Sequence, residues 1–151
     1  MKLYSNMLKA FFLLGLINSC SPAHVLFVKN NSGKEKEIFV ELKQKNPSQE
    51  LLFCKELISD EKLEHKAFMK YYKEGKCYPE KINKINNKTY KFILPSNYTV
   101  NIVPNNSIYP FEKIYYLTDN KKCFISEAKS IDCEQKISEQ PSLVHIVEIL
   151  N

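Results

Sequence analysis

The chain has 151 residues, with 22 basic residues that are all lysine, 17 acidic residues and three glycines. That length fits one domain of ordinary size, and so few glycines exclude Gly-rich phosphate loops, collagen repeats and Gly/Ser linkers. Without arginine, and at a net charge of only +5, it lacks the guanidinium groups that grip phosphates and guanine edges, so nucleic acid is not expected as a partner.

The first twenty residues read MKLYSNMLKAFFLLGLINSC. Lys2 and Lys9 make a positive start, and residues 10–17 are an apolar run. As a helix that run would be about 12 Å long, against a hydrocarbon core of about 30 Å, so it is too short to span a bilayer. It has the length of a secretory h-region. The run ends in Ile17-Asn18-Ser19-Cys20, which resembles the lipobox of bacterial lipoprotein precursors. The resemblance implies cleavage before Cys20, a diacylglyceryl group on its sulfur and acylation of the new amino group. It also implies a cell-envelope location. With Ser21 rather than Asp after the cysteine, that would be the outer membrane in a two-membrane bacterium. Residues 1–19 would be the signal and 20–151 a single extracytoplasmic domain. Losing Lys2 and Lys9 with the signal lowers the net charge from +5 to +3. The competing reading is an ordinary secretory signal cut after Ala23.

Downstream, segments rich in β-branched and aromatic residues recur between turn signals. Segments 24–29 and 37–43 flank Asn30-Asn31-Ser32-Gly33, which predicts a hairpin, and Ile38, Val40 and Leu42 share one face at period two. A third strand, 50–57, follows Asn46-Pro47-Ser48. Residues 60–73 have helical periodicity, capped by Ser59 or Asp60 and stopped at Gly75. Leu63, Ala67, Phe68, Tyr71 and Tyr72 would face one side of that helix, and Lys62, Lys66, Lys70 and Lys73 the other. Tyr90, Phe92 and Leu94 alternate before Pro95-Ser96-Asn97, and Tyr98, Val100 and Ile102 alternate after it, predicting a second hairpin. Residues 104–110 read as a loop. Strands 113–117 and 122–126 flank a turn at Asp119-Asn120-Lys121. Segment 143–150 is nearly all apolar, as in a strand buried on both faces. Seven or eight strands and one inserted helix, with no βαβ alternation, predict a mainly β fold: an antiparallel β-sandwich, with an Ig-like topology among the arrangements allowed.

Export changes the meaning of the cysteines. Setting Cys20 aside as the lipid carrier leaves Cys54, Cys77, Cys123 and Cys133, an even set in an oxidising compartment. Three connectivities are open, and the local one, Cys54–Cys77 with Cys123–Cys133, is expected from closeness along the chain. Each closed loop would stabilise by about 2–3 kcal/mol. The cysteines lack the pairwise spacing of a zinc site. Glu61 and His65 would be half a metal site with no visible second half, so neither a metal nor another cofactor is expected. No Gly-x-Ser-x-Gly, His-Glu-x-x-His, Walker or dinucleotide motif is present, so no catalytic residue is nominated.

Two groups of side chains remain as binding candidates. The stripe Lys62, Lys66, Lys70 and Lys73 would suit an anionic surface or simply face solvent. Tyr109, Tyr115 and Tyr116 border the 104–110 loop, and tyrosine anchors many protein and sugar interfaces when it is not packing a core. His145 lies in an apolar strand, as a hydrogen-bonded core histidine would. The sequence therefore predicts a lipid-anchored envelope lipoprotein acting as a binding or assembly module. Its expected contacts are the membrane, through the anchor, and a protein or envelope-polymer partner. A periplasmic inhibitor or immunity-type protein and an envelope hydrolase are the alternative readings.

Overall fold

The computed structural model describes residues 22–45, 50–55, 70–118, 121–125, 133–140 and 143–150. Its strands, in chain order, are β1 (His24–Asn30), β2 (Lys36–Leu42), β3 (Glu50–Cys54), β4 (Cys77–Lys81), β5 (Asn83–Lys84), β6 (Thr89–Leu94), β7 (Thr99–Asn106), β8 (Phe111–Thr118), β9 (Lys121–Phe124), β10 (Gln135–Gln140) and β11 (Val144–Ile149). They form a six-stranded sheet in the order β10-β11-β1-β7-β3-β4 and a five-stranded sheet in the order β5-β6-β2-β8-β9. The period-two residues explain why the sheets face each other. Leu26 and Val28 of β1, Leu51 and Phe53 of β3, and Val100 and Ile102 of β7 meet Ile38, Val40 and Leu42 of β2, Tyr90 and Phe92 of β6, and Ile114 and Tyr116 of β8. The protein is thus a mainly β sandwich with one shared core, as expected. All ladders are antiparallel except β1 with β11, which run parallel from Val25↔Val144 to Asn30↔Ile149. β11 lies between β10 and β1, and its Val144, His145, Ile146, Val147 and Ile149 are buried. That two-faced burial accounts for its nearly continuous apolar sequence.

The chain changes sheet after β1, β2, β4, β6, β7 and β9. Two expected hairpins are corrected by this. Residues 30–33 and 95–97 do not join neighbouring strands; each carries the chain from one sheet to the other. Alternation tells which face of a strand is buried but not which strand it pairs with, and strands in facing sheets share a core just as hairpin partners do. Asn30 fastens the two crossings together. It is fully buried, and its Nδ2 donates to Lys34 O at 2.8 Å and Leu94 O at 2.9 Å. Its Oδ1 accepts from Ser32 N at 3.1 Å and Ser32 Oγ at 2.7 Å. Its backbone oxygen accepts from Asn97 N at 2.7 Å, and its backbone N–H donates to Tyr98 O at 3.0 Å. Asn97 has φ 64°, a left-handed conformation that asparagine tolerates well. The third expected turn is a hairpin: β8 and β9 pair from Thr118↔Lys121 to Tyr115↔Phe124.

Both expected disulfides are formed, Cys54–Cys77 and Cys123–Cys133. Cys54 and Cys77 lie directly opposite each other on β3 and β4. Cys123 belongs to β9, at the edge of the five-stranded sheet, and Cys133 lies just before β10, at the edge of the other. The second bridge therefore clamps the two sheets along one side of the sandwich. Of the expected 60–73 helix, 60–69 lie outside the described residues, while 70–73 are helical. Gly75, at φ 71°, ends the turn: its N–H donates to Tyr72 O at 3.1 Å, and Lys76 N donates to Tyr71 O at 3.0 Å. This pair of bonds is a Schellman motif, which requires the left-handed residue that glycine supplies.

Candidate functional site

The outward side chains of the two sheets have different fates. On the six-stranded sheet, Phe27, Cys54, Cys77, Val144 and Ile146 form a second buried cluster, against which Tyr71 of the helical turn packs. Lys29, Thr99 and Asn101 are also buried on that side. On the five-stranded sheet the outward residues alternate with the core ones: Glu37, Phe39 and Glu41 on β2, Lys91 and Ile93 on β6, Tyr115 and Leu117 on β8, Lys122 and Phe124 on β9. Ile93 is 52% exposed, Phe124 42% and Leu117 41%.

Strand register lines up one row across this open face. Lys91 is opposite Phe39, Phe39 opposite Tyr115, and Tyr115 opposite Phe124. The Phe39 and Tyr115 rings stack with centroids 4.8 Å apart and planes 4° from parallel, and Tyr115 lies 5.8 Å from Phe124. Lysines complete the row. Lys91 Nζ is 5.7 Å from the Phe39 centroid and 2.5 Å from Glu37 Oε1, and Lys122 Nζ is 4.9 Å from the Tyr115 centroid. Phe39 and Tyr115 cover each other's faces, Phe124 is tilted 55° to Tyr115, and the lysine ammonium groups stand over the rings. Beside it, a hollow of about 430 Å³ opens where Tyr78 and Glu80 of β4 meet Glu37, Lys91 and Ile93. Partial burial, then the neighbouring Tyr98 and Glu80, push the Tyr78 phenol above its ordinary value.

A second surface is the end of the sandwich where β1 begins. His24 Nδ1 lies 3.0 Å from His145 Nε2, so one ring donates and the other is a neutral acceptor. Tyr109 sits edge-on to both, its centroid 5.6 Å from that of His24 and 5.7 Å from that of His145. Next to this cluster, Lys43, Lys45, Asn106, Ile108, Tyr109 and Pro110 are among the residues lining a cavity of about 130 Å³. Lys43 Nζ stands 5.6 Å from the Tyr109 centroid. His145 is thus the buried, hydrogen-bonded histidine that its apolar strand suggested. Among the described residues, no group of three or more His, Cys, Asp or Glu could hold a metal ion.

The three tyrosines picked from the sequence are not brought together. Tyr109 borders the β1 end, and Tyr115 stands in the aromatic row. Tyr116 points into the core at 2% exposure, and burial pushes its phenol above the ordinary value. It offers no surface to a partner. Cys20, Lys62, Lys66, Glu61 and His65 lie outside the described residues. Lys70 and Lys73 are exposed as expected, and Lys70 is 3.8 Å from Glu74. Tyr72, assigned to the buried side of the helix, is 41% exposed, whereas Tyr71 does face the sheet. The aromatic row was not picked out, although Phe39 between Glu37 and Glu41 is an aromatic on the polar face of its strand. Comparison with family models, with curated proteins and with solved structures finds no match to this chain.

Proposed function

We propose that the protein is a lipid-anchored envelope lipoprotein whose disulfide-stapled sandwich is a binding or assembly module. The observation that carries this reading is the use of the cysteines. Cys54, Cys77, Cys123 and Cys133 pair with each other, leaving Cys20, the last residue of the lipobox-like segment, as the odd one. Paired cysteines suit an oxidising compartment. Two or three acyl chains on one cysteine are enough for stable anchoring, where a single chain is not.

In this reading the partner meets the open face of the five-stranded sheet. Exposed Ile93, Leu117 and Phe124 beside stacked aromatics and lysines form the mixed apolar and cationic patch that interfaces favour, and the partner is a protein or an envelope polymer. Labelling cells with an alkynyl fatty acid tests the anchor. The wild-type protein should take up the label and sediment with membranes, and Cys20→Ser should do neither. Equal labelling of the two, or none in the wild type, overturns the anchor.

A further inference from the structure

We infer that the end of the sandwich where β1 begins is a membrane-docking surface, seated on anionic phospholipid headgroups with Ile108 in the bilayer interface. The inference rests on the lipid-anchor reading for its geometry.

β1 begins at His24, four residues after Cys20. Four residues reach at most about 14 Å even when fully extended, so a lipid on Cys20 keeps the start of β1 close to the bilayer. Strand direction identifies what shares that end. β11 runs parallel to β1 and starts there; β7, antiparallel to β1, ends there. β2 crosses from the far end and finishes there, so its antiparallel neighbours β6 and β8 start there. The end is therefore built from the β7–β8 loop, the β5–β6 turn, the residue before β11 and the segment after β2.

Each of the first three carries an exposed aliphatic side chain. Ile108 in the β7–β8 loop is 72% exposed, Ile85 in the β5–β6 turn 52%, and Leu143 before β11 37%. Leu143 also has φ 59°, a conformation that a bulky residue seldom adopts. At the same end stand exposed Lys43, Lys45, Lys84 and Lys88, with exposed Glu50 and Glu112 and half-buried Glu41, which lies opposite Lys113, as the described acids nearby. Aliphatic tips and lysines sharing one end match a bilayer surface, with apolar groups entering the interface and ammonium groups meeting anionic headgroups. A protein partner would leave unexplained why these tips gather at the end nearest Cys20. Lys43 and Lys45 also line the same cavity as Ile108, so insertion of Ile108 brings both to headgroup level.

The chain has no tryptophan, so one introduced residue is a unique fluorescent reporter. The full chain, made in a lipidating bacterial host, is reconstituted into vesicles containing phosphatidylglycerol with brominated acyl chains. Ile108→Trp should lose about twofold in emission, as expected for a side chain at the headgroup–acyl boundary. Leu117→Trp, near the opposite end of β8, should be unchanged. Replacing Lys43, Lys45 and Lys88 together by Glu should reduce the quenching of Ile108→Trp. Lipidated protein with Ile108→Trp unquenched, or with Leu117→Trp quenched as strongly, overturns the docking surface and leaves the anchor standing. The intact mass of the same sample reports the anchor separately. If Cys20 is unmodified, quenching of Ile108→Trp still supports the surface without the anchor, and its absence overturns both.

Discussion

The two outer faces of the sandwich are made by the same period-two alternation and end differently. Outside the six-stranded sheet, Phe27 and Cys54 are fully buried and Tyr71 packs on their cluster. Outside the five-stranded sheet, Ile93, Leu117 and Phe124 remain in solvent. Apolar side chains under a cover contribute to folding stability. Uncovered, they contribute little to it and are retained at a cost in solubility, the usual mark of a surface with a partner. Stability should therefore depend on the first face and association on the second.

The largest expected contrast is between two phenylalanines. Phe27→Ala should cost about 3–5 kcal/mol, as for a fully buried aromatic, whereas Phe124→Ala should cost about 0.5 kcal/mol. Urea denaturation with the disulfides intact measures both, and equal losses would break the contrast. The bridges come next. Replacing Cys54 and Cys77 together by Ser should remove about 3 kcal/mol and loosen the covered face, because Cys54 is part of its buried cluster. Replacing Cys123 and Cys133 together should cost about 2 kcal/mol and raise amide exchange in β9 and β10, leaving β3 and β4 protected.

A smaller effect probes the core between the faces. Tyr90 is buried and its hydroxyl donates to Val103 O at 2.8 Å, and burial pushes its phenol well above the ordinary value of 10. Unfolded tyrosine ionises first, so the unfolded state binds fewer protons above pH 10 and stability falls as pH rises from there. Below pH 10 this contribution is fully present. Tyr90→Phe should cost about 1 kcal/mol at neutral pH and give a shallower alkaline decline. An unchanged decline would show that Tyr90 does not control it. A small stability change with a large effect on association is expected of Ile93→Ser with Phe124→Ser. The pair should shift the unfolding midpoint by less than about 1 kcal/mol and abolish retention of the partner in crosslinked envelopes; full retention would move the binding surface elsewhere.

The sandwich was legible because Ile38, Val40 and Leu42, and then Tyr90, Phe92 and Leu94, announce a buried face at period two. The disulfides were legible because each pair is close along the chain. Pairing was not, since a turn such as Pro95-Ser96-Asn97 reads alike whether it reverses a strand within one sheet or crosses to the other. β4, β5 and β10 were missed for a different reason. Their sequences, CYPEK, NK and QKISEQ, are polar, as sheet-edge strands are expected to be. At the surfaces, the three candidate tyrosines read alike in sequence, yet Tyr109 and Tyr115 are half-buried and Tyr116 is fully in the core. Neighbours in a strand point to opposite faces, and the register that buries Tyr116 comes from β2 and β9. The His24–His145 pair spans 121 residues and exists only through the parallel β1–β11 ladder, which no local pattern announces.

The central claim, a lipid-anchored module, is tested most directly by the intact mass of the mature protein taken from membranes. It should begin at Cys20, carry a diacylglyceryl group and at most one further acyl chain, and retain two disulfides. An unmodified chain beginning at His24 would contradict it.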